Sequence, residues 1–176
     1  MEPAQDLWTC FASQSHHTSS PSVRCLELFA GEAEISKAFA QRCHGVLRPR
    51  DIKYGDDLHD PGVRQEVYRE ILEEKPDLVW IGMPCTKWCA FSRINYTKQE
   101  RRRLRQKEKD FLAMVDEVFL LQRLNGKHVV LENPTTSDLW QQPEIKRWSN
   151  DDYTHKFSFD MCSYGLQSAV EPFANP

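Results

Sequence analysis

The sequence predicts an open α/β fold, in which a mostly parallel sheet carries helices on both of its faces. Two observations support this prediction. Short apolar runs of strand length alternate with segments whose apolar residues recur at helical spacing, and the connections between these segments are short. In open sheets of this kind, ligands bind beyond the carboxyl ends of the strands. The functional residues are therefore expected where the strands end.

The first part of the chain predicts a strand, a helix and a second strand. Residues 23–30 (VRCLELFA) form a strand-like run that ends at Gly31. Residues 32–43 then place apolar side chains at helical spacing. Residues 44–52 (HGVLRPRDI) predict a second short strand that reaches Asp51. This order of strand, glycine turn and helix is typical of nucleotide-type α/β sites, although many other folds also contain it.

The next helix has signals at both of its ends. Asp60 is suited to the N-cap, and Pro61 fits the first helical turn. Lys75 and Pro76 would stop the helix. It is therefore expected to run from Pro61 to about Glu74.

Two further strands are expected on either side of one long helix. Residues 77–82 (DLVWIG) are apolar in the manner of a strand buried on both faces, and residues 127–133 (KHVVLEN) form another buried strand with a polar end. Between them, Thr97 and Glu100 make a capping box for a single helix over residues 98–124.

The two ends of the chain are less regular. Residues 134–150 contain two prolines that would break the segment into short helical pieces, whereas residues 153–165 (YTHKFSFDMCSYG) alternate as one more strand. Residues 1–22 are rich in Ser, Thr, Gln and His and lack a sustained period, so a flexible leader is expected there. Residues 23–176 are expected to form one domain.

Composition excludes several classes of protein. The chain has 176 residues, 40% of them hydrophobic and 28% charged, which is typical of a globular domain. No apolar stretch could span a membrane and no signal peptide is evident, so we expect an intracellular protein of the nucleus or cytoplasm without a membrane partner. The net charge of -3 gives no global attraction for nucleic acid. The six cysteines lack the spacing of a disulfide framework.

Two reactive side chains follow neighbouring predicted strands. Cys85 lies in a Pro-Cys step directly after one strand, and Glu132 ends the next strand. A thiol and a carboxyl group that face one pocket could act as nucleophile and proton donor. The alternative is that Cys85 is a small buried side chain and Glu132 a solvated strand end. A zinc deaminase site is not expected, because Cys85 and Cys89 have a P-C-x-x-x-C spacing instead of P-C-x-x-C, and no metal site is predicted.

Short motifs follow the predicted strands in a defined order. They are residues 27–31 (ELFAG), 83–89 (MPCTKWC), 132–134 (ENP) and 163–167 (SYGLQ). In type and order they resemble the motifs of the DNA (cytosine-5) methyltransferase family, whose Pro-Pro-Cys loop carries the nucleophile and whose Glu-Asn-Val motif follows it. The resemblance covers about residues 23–168 and implies a Rossmann-like sheet of the class I methyltransferase type.

The resemblance also implies a role for each motif. Cys85 would attack C6 of a cytosine, and Glu132 would bind the base at N3. Asp51 would bind the ribose of S-adenosyl-L-methionine, which is the implied cofactor. The substrate would be DNA with the target base flipped from its stack, and RNA remains an open alternative. The other implied cofactor-binding residues are Phe29, Ala30, Gly31, Asp57, Leu58 and Pro84.

The chain departs from the family pattern at several positions. Met83 replaces the first proline of the loop and Thr86 replaces the glutamine after the nucleophile. Residues 168–171 (SAVE) stand where an arginine pair would help to hold the flipped base. The core over residues 23–176 is therefore expected to be incomplete at its C-terminus. A catalytically silent module of the same fold, binding nucleic acid or protein within a larger protein, is the alternative.

A basic segment follows the candidate catalytic loop. Residues 98–109 contain seven Lys or Arg residues and two acids. The segment could contact phosphates, or it could be an ordinary solvated helix face. The candidate nucleic-acid-binding residues are Arg93, Arg101 and Arg102. The sequence does not indicate an oligomeric state.

Overall fold

A computed structural model describes residues 22–42 and 44–160 of the chain. The strands and helices of this part, in chain order, are β1 (Arg24–Leu28), α1 (Glu34–Gln41), β2 (Gly45–Val46), α2 (Pro61–Glu74), β3 (Leu78–Ile81), α3 (Ser92–Asn95), α4 (Lys98–Lys107), α5 (Lys109–Leu124), β4 (His128–Leu131) and α6 (Pro143–Ser149). Short 3-10 helices occupy Ile52–Tyr54 and Asp138–Gln141. No helix in these ranges has the length and apolar character needed to cross a membrane.

The four strands form one parallel sheet with the order β2-β1-β3-β4. The predicted α/β class and the parallel sheet are therefore confirmed. β2 is shorter than expected, and the chain beyond it rejoins the sheet only through a bridge between Leu28 and Arg50. Most of the predicted leader and the predicted step at residues 163–167 lie outside the described residues.

Alternation along β1 separates the two faces of the sheet. Leu26 and Leu28 are fully buried in the main core, which they share with side chains of β3, α2 and α5. Glu27 points to the opposite face. There its carboxylate accepts hydrogen bonds from the backbone N–H and the hydroxyl of Ser36 in α1, at 2.8 and 2.6 Å. The sheet consequently has helices on both faces, as predicted.

The predicted helix caps are confirmed. The Asp60 carboxylate accepts a hydrogen bond of 2.6 Å from the backbone N–H of Gly62 at the start of α2. Lys75 ends that helix in the left-handed region, with φ of 46°. Thr97 and Glu100 form the reciprocal hydrogen bonds of a capping box at the start of α4. Local sequence chemistry thus sets these boundaries.

The prediction of one helix over residues 98–124 is wrong, because the chain breaks at Glu108 into α4 and α5. Glu108 is 1% exposed, and its carboxylate pairs with the ammonium group of Lys87. A buried carboxylate requires such a partner. The contact that accompanies the break comes from a distant loop and cannot be read from helical periodicity.

The predicted strand over residues 153–165 is also wrong for its described part, because residues 153–160 form no strand. Tyr153 and Phe157 are 84% and 86% exposed, so the alternating aromatic residues are not buried against the sheet. The chain is instead held at the end of α5, where Arg123 pairs with Asp151 and lies over the Tyr153 ring. Residues 161–165 lie outside the described part.

The predicted burial of the later strands is only partly correct. In β3, Val79 and Ile81 are fully buried, whereas Leu78 and Trp80 are half-buried. The face of the sheet that carries α1 is therefore covered less completely than the core face. β4 is the last strand of the described sheet, and its side chains are half-buried or exposed.

Candidate functional site

All four strands end at the same edge of the sheet, because they are parallel. β2 lies on one side of β1 and β3 lies on the other, so the strand order reverses direction at β1. A crevice for ligands is expected beyond the carboxyl ends at such a reversal. The prediction that the strands end at one edge is confirmed for β1 to β4, whereas the motif at residues 163–167 lies outside the described residues.

The turn after β1 has an unusual backbone. Phe29, Gly31 and Ala33 all adopt the left-handed region, with φ between 53° and 56°. A Cβ atom placed on Gly31 would have no neighbour within 4 Å, so this glycine faces open space. A ligand can therefore approach this position closely, and glycine meets the conformational demand without strain.

Asp51, which follows β2 and comes directly before the 3-10 helix Ile52–Tyr54, fastens this segment to the turn. Its carboxylate accepts hydrogen bonds from the backbone N–H of Gly31 at 3.1 Å and of Lys53 at 2.9 Å. The Tyr54 hydroxyl donates to the Gly31 carbonyl at 3.0 Å. Each Asp51 oxygen thus accepts one backbone hydrogen bond and keeps further acceptor capacity. The half-buried carboxylate can still accept hydrogen bonds from a ligand with adjacent hydroxyl groups.

An aromatic cluster borders the same turn. The Phe29 ring meets the Phe111 ring edge to face, with centroids 4.8 Å apart, and His59 stacks on Phe111 at 4.0 Å. Leu58 is buried beside His59 in sequence, while Asp57 is exposed and accepts a hydrogen bond from the His59 backbone. Sequence reasoning missed His59 and Phe111, because Phe111 comes from α5 and has no motif that marks it.

The candidate catalytic pair lies at the ends of β3 and β4. Cys85 and Glu132 are both half-buried, and burial raises the pKa of the Glu132 carboxyl group. Burial also raises the pKa of the Cys85 thiol, as do the neighbouring Cys89 thiol and the negative charge of Glu132. The two groups follow strands that are adjacent in the sheet. Cys85 is a free thiol.

Backbone and side-chain contacts hold the loop that carries Cys85. The Asn133 side-chain amide donates to the Met83 carbonyl at 2.7 Å, which joins the ends of β3 and β4. Two residues after Cys85, Lys87 pairs with Glu108, and its carbonyl accepts a hydrogen bond of 2.8 Å from Arg105. Residues 83–91 form no strand or helix, yet the thiol has a defined position.

Pro84 and Cys89 flank the thiol. Pro84 is exposed, between the buried Met83 and the half-buried Cys85. Cys89 donates its backbone N–H to the Cys85 carbonyl at 2.8 Å, and its thiol contacts the Thr86 carbonyl at 3.8 Å. The described residues contain no cluster of three or more His, Cys, Asp or Glu side chains arranged to hold a metal ion.

The three candidate nucleic-acid-binding residues have different surroundings. Arg93 donates to Asp138 at 2.8 Å, so its guanidinium group already holds the loop to the segment after β4. Arg102 is exposed and forms no ion pair with any described residue. Arg101 is half-buried, and its Nε atom is buried without a hydrogen-bond partner among the described residues. The structure thus leaves Arg101 and Arg102 available and engages Arg93.

The site therefore combines a glycine turn that faces open space, a carboxylate that can accept further hydrogen bonds, and a thiol and a half-buried carboxyl group that follow adjacent strands. Comparisons with protein-family models, with curated proteins and with solved structures gave no match to this chain.

Proposed function

We propose that the chain is an S-adenosylmethionine-dependent methyltransferase that acts on C5 of cytosine in DNA. The observation that carries the proposal is the pair formed by Cys85 and Glu132 at adjacent strand ends, beside the crevice at the Gly31 turn. A nucleophilic thiol and a proton-donating carboxyl group are the two groups that activation of a cytosine ring requires.

The residues around the crevice fit the cofactor. The open side of Gly31 accommodates the methionine part, and the remaining acceptor capacity of Asp51 suits the ribose hydroxyl groups. Leu58 and Phe29 belong to the same apolar cluster and would form the apolar side of the cofactor site, and the exposed Asp57 would accept from an adenine amino group. When bound, S-adenosylmethionine supplies an electrophilic methyl group on a sulfonium.

The raised pKa of Glu132 has a direct chemical use. Because burial favours its neutral form, the carboxyl group can donate a proton or hydrogen bond to N3 of cytosine. This interaction withdraws electrons from the ring as the Cys85 sulfur forms a bond to C6. C5 then becomes nucleophilic and accepts the methyl group. Loss of the C5 proton to a base and cleavage of the C6–S bond restore the aromatic ring and the thiolate.

The catalytically silent module remains a second candidate, because one observation favours it. The raised pKa keeps Cys85 protonated at neutral pH. The basic groups that follow it in the sequence do not offset this effect, since Lys87 pairs with Glu108 and Arg105 pairs with Asp138. A thiol in this state is a weak nucleophile until the substrate or cofactor changes its surroundings.

Two measurements separate these functions. Calorimetric titration with S-adenosylmethionine tests the cofactor site, and absence of binding at millimolar cofactor would refute the methyltransferase proposal. DNA containing 5-fluorocytosine tests the chemistry, because the fluorine cannot leave as a proton does and the covalent adduct accumulates. We expect an adduct with the wild type and with the matched variant Cys89→Ser, but none with Cys85→Ser. A chain that binds cofactor and forms no adduct is the silent module.

A further inference from the structure

The basic segment at residues 98–109, which covers α4 and the start of α5, contains seven Lys and Arg residues within twelve positions. Of the seven Lys and Arg residues between positions 98 and 109, only Arg105 forms an ion pair within the described residues. Elsewhere, Arg24, Lys37 and Arg123 are paired with acids, whereas Arg69 and Lys146 are exposed and have no ion pair among the described residues. Within α4, six basic residues stand against one acid, Glu100, so the helix carries a net positive charge. The unpaired residues are Lys98, Arg101, Arg102, Arg103, Lys107 and Lys109.

A groove runs along one face of this helix. It has a volume of about 250 Å³ and is lined by Tyr96, Glu100, Arg103, Leu104 and Lys107. Clefts that enclose a whole small ligand usually have about 300–1,000 Å³. The groove is therefore more suitable for one ring-sized part of a larger molecule, with a tyrosine and an apolar leucine on its walls and two cations beside them.

Apolar side chains project from the segment just before α4. Phe91 is 70% exposed and Ile94 is 79% exposed, although both lie next to the loop that carries Cys85. Tyr96 is half-buried at the groove. Aromatic rings beside unpaired cations are typical of surfaces that bind single strands, because free bases can stack on the rings while phosphates meet the cations. Here Phe91 and Tyr96 come directly before the unpaired cations of α4.

We propose that α4, with Phe91 and Tyr96, binds single-stranded nucleic acid and leads it to Cys85. A duplex is the poorer fit, because its bases are stacked internally and offer no free faces to these rings. An acidic protein would use the cations and leave the rings without partners. As a statement about the substrate of the proposed enzyme, this inference rests on the proposed function. The binding of a single strand itself does not depend on methyl transfer.

Fluorescence anisotropy tests the proposal with the full chain. The probes are a labelled oligothymidylate longer than the about 4–16 nucleotides that one binding module covers, a duplex of equal length, and polyglutamate. We expect the single strand to bind tightest. Phe91→Ala should weaken its binding about 5- to 150-fold, as expected for loss of one stacked base. Leu124→Ala, at another exposed apolar position, should have no effect.

The salt dependence tests the role of the cations. The double variant Arg103→Ala/Lys107→Ala should reduce the slope of log K against log salt by about 1.4, since each phosphate contact to a single strand contributes about 0.7. Arg69→Ala/Lys146→Ala, which removes two exposed cations on other helices, should leave the slope unchanged.

Three results would overturn the proposal. They are equal or tighter binding of the duplex, equal binding of polyglutamate, and insensitivity of single-strand binding to Phe91→Ala. Calorimetry with S-adenosylmethionine on the same samples keeps the two proposals apart. If the protein binds S-adenosylmethionine but not the single strand, only the proposal of a single-strand surface is refuted. If the protein does not bind S-adenosylmethionine, the proposed enzyme is refuted.

Discussion

Lys87→Met is expected to destabilise the protein strongly, although it removes a side chain that is 32% exposed. Its partner Glu108 is 1% exposed, and one oxygen of that carboxylate already lacks a hydrogen-bond partner among the described residues. The substitution keeps most of the apolar stem and removes the charge. It would leave a buried carboxylate without its counterion.

Removing one partner of a buried pair costs about 3–5 kcal/mol. For a protein of this size each kcal/mol lowers Tm by about 2–4 °C, so the expected decrease is about 6–20 °C. Lys37→Met is the matched control, since it breaks the exposed pair with Glu34. Exposed pairs contribute at most about 1 kcal/mol.

Urea unfolding followed by circular dichroism measures both variants. The double variant Lys87→Met/Glu108→Leu should recover most of the lost stability, because replacing both charges by apolar groups is close to neutral. If Lys87→Met costs no more than Lys37→Met, the buried pair does not hold the loop and the reasoning is refuted.

Two further predictions concern the site itself. Gly31→Ala should lower the free energy of unfolding by about 1–2 kcal/mol through backbone strain alone, because φ is 53° and no atom obstructs the new methyl group. Gly126→Ala is the control, with φ of 64° and equally open space. It should lower the free energy of unfolding by the same amount in urea but leave S-adenosylmethionine binding intact. Alkylation of Cys85 by iodoacetamide should be slow at pH 7 and accelerate only above the ordinary thiol pKa of 9.0, since burial and Cys89 raise the pKa. Cys89→Ala should move that profile to lower pH, and rapid alkylation of the wild type at neutral pH would contradict the assignment.

The fold could be predicted from sequence wherever a few adjacent residues decide the structure. Asp60 caps α2 through a group two residues away, and the Thr97–Glu100 box spans three residues. The parallel sheet followed from the alternation of strands and helices. These signals are local, so a short stretch of sequence is enough to predict the structure at these positions.

The failures have a common cause, which is a partner far away in the sequence. Glu108 at the helix break contacts Lys87, 21 residues earlier. Alternation after residue 153 predicted a strand, but Asp151 is held by Arg123, 28 residues earlier. Periodicity describes which face of a segment is apolar, and it does not identify the neighbour that covers this face.

The candidate site shows the same division. Strand-end reasoning places Cys85 and Glu132 after the adjacent parallel strands β3 and β4, and these strands do end at one edge. It missed Phe111, which reaches the crevice from the middle of the sequence, and it did not foresee that Arg93 would be engaged by Asp138. Side chains that come from helices have no strand end to mark them.

The break between α4 and α5 and the position of Cys85 depend on the same contacts. Arg105 and Glu108 are three residues apart and therefore lie on one side of the helix junction. Arg105 binds the Lys87 carbonyl at 2.8 Å, and Glu108 binds the Lys87 ammonium group. In one continuous helix, the backbone would not turn at Glu108 as it does between α4 and α5. The same α4 bears the unpaired cations, so a displacement of this helix would be transmitted through Lys87 to a thiol two residues away.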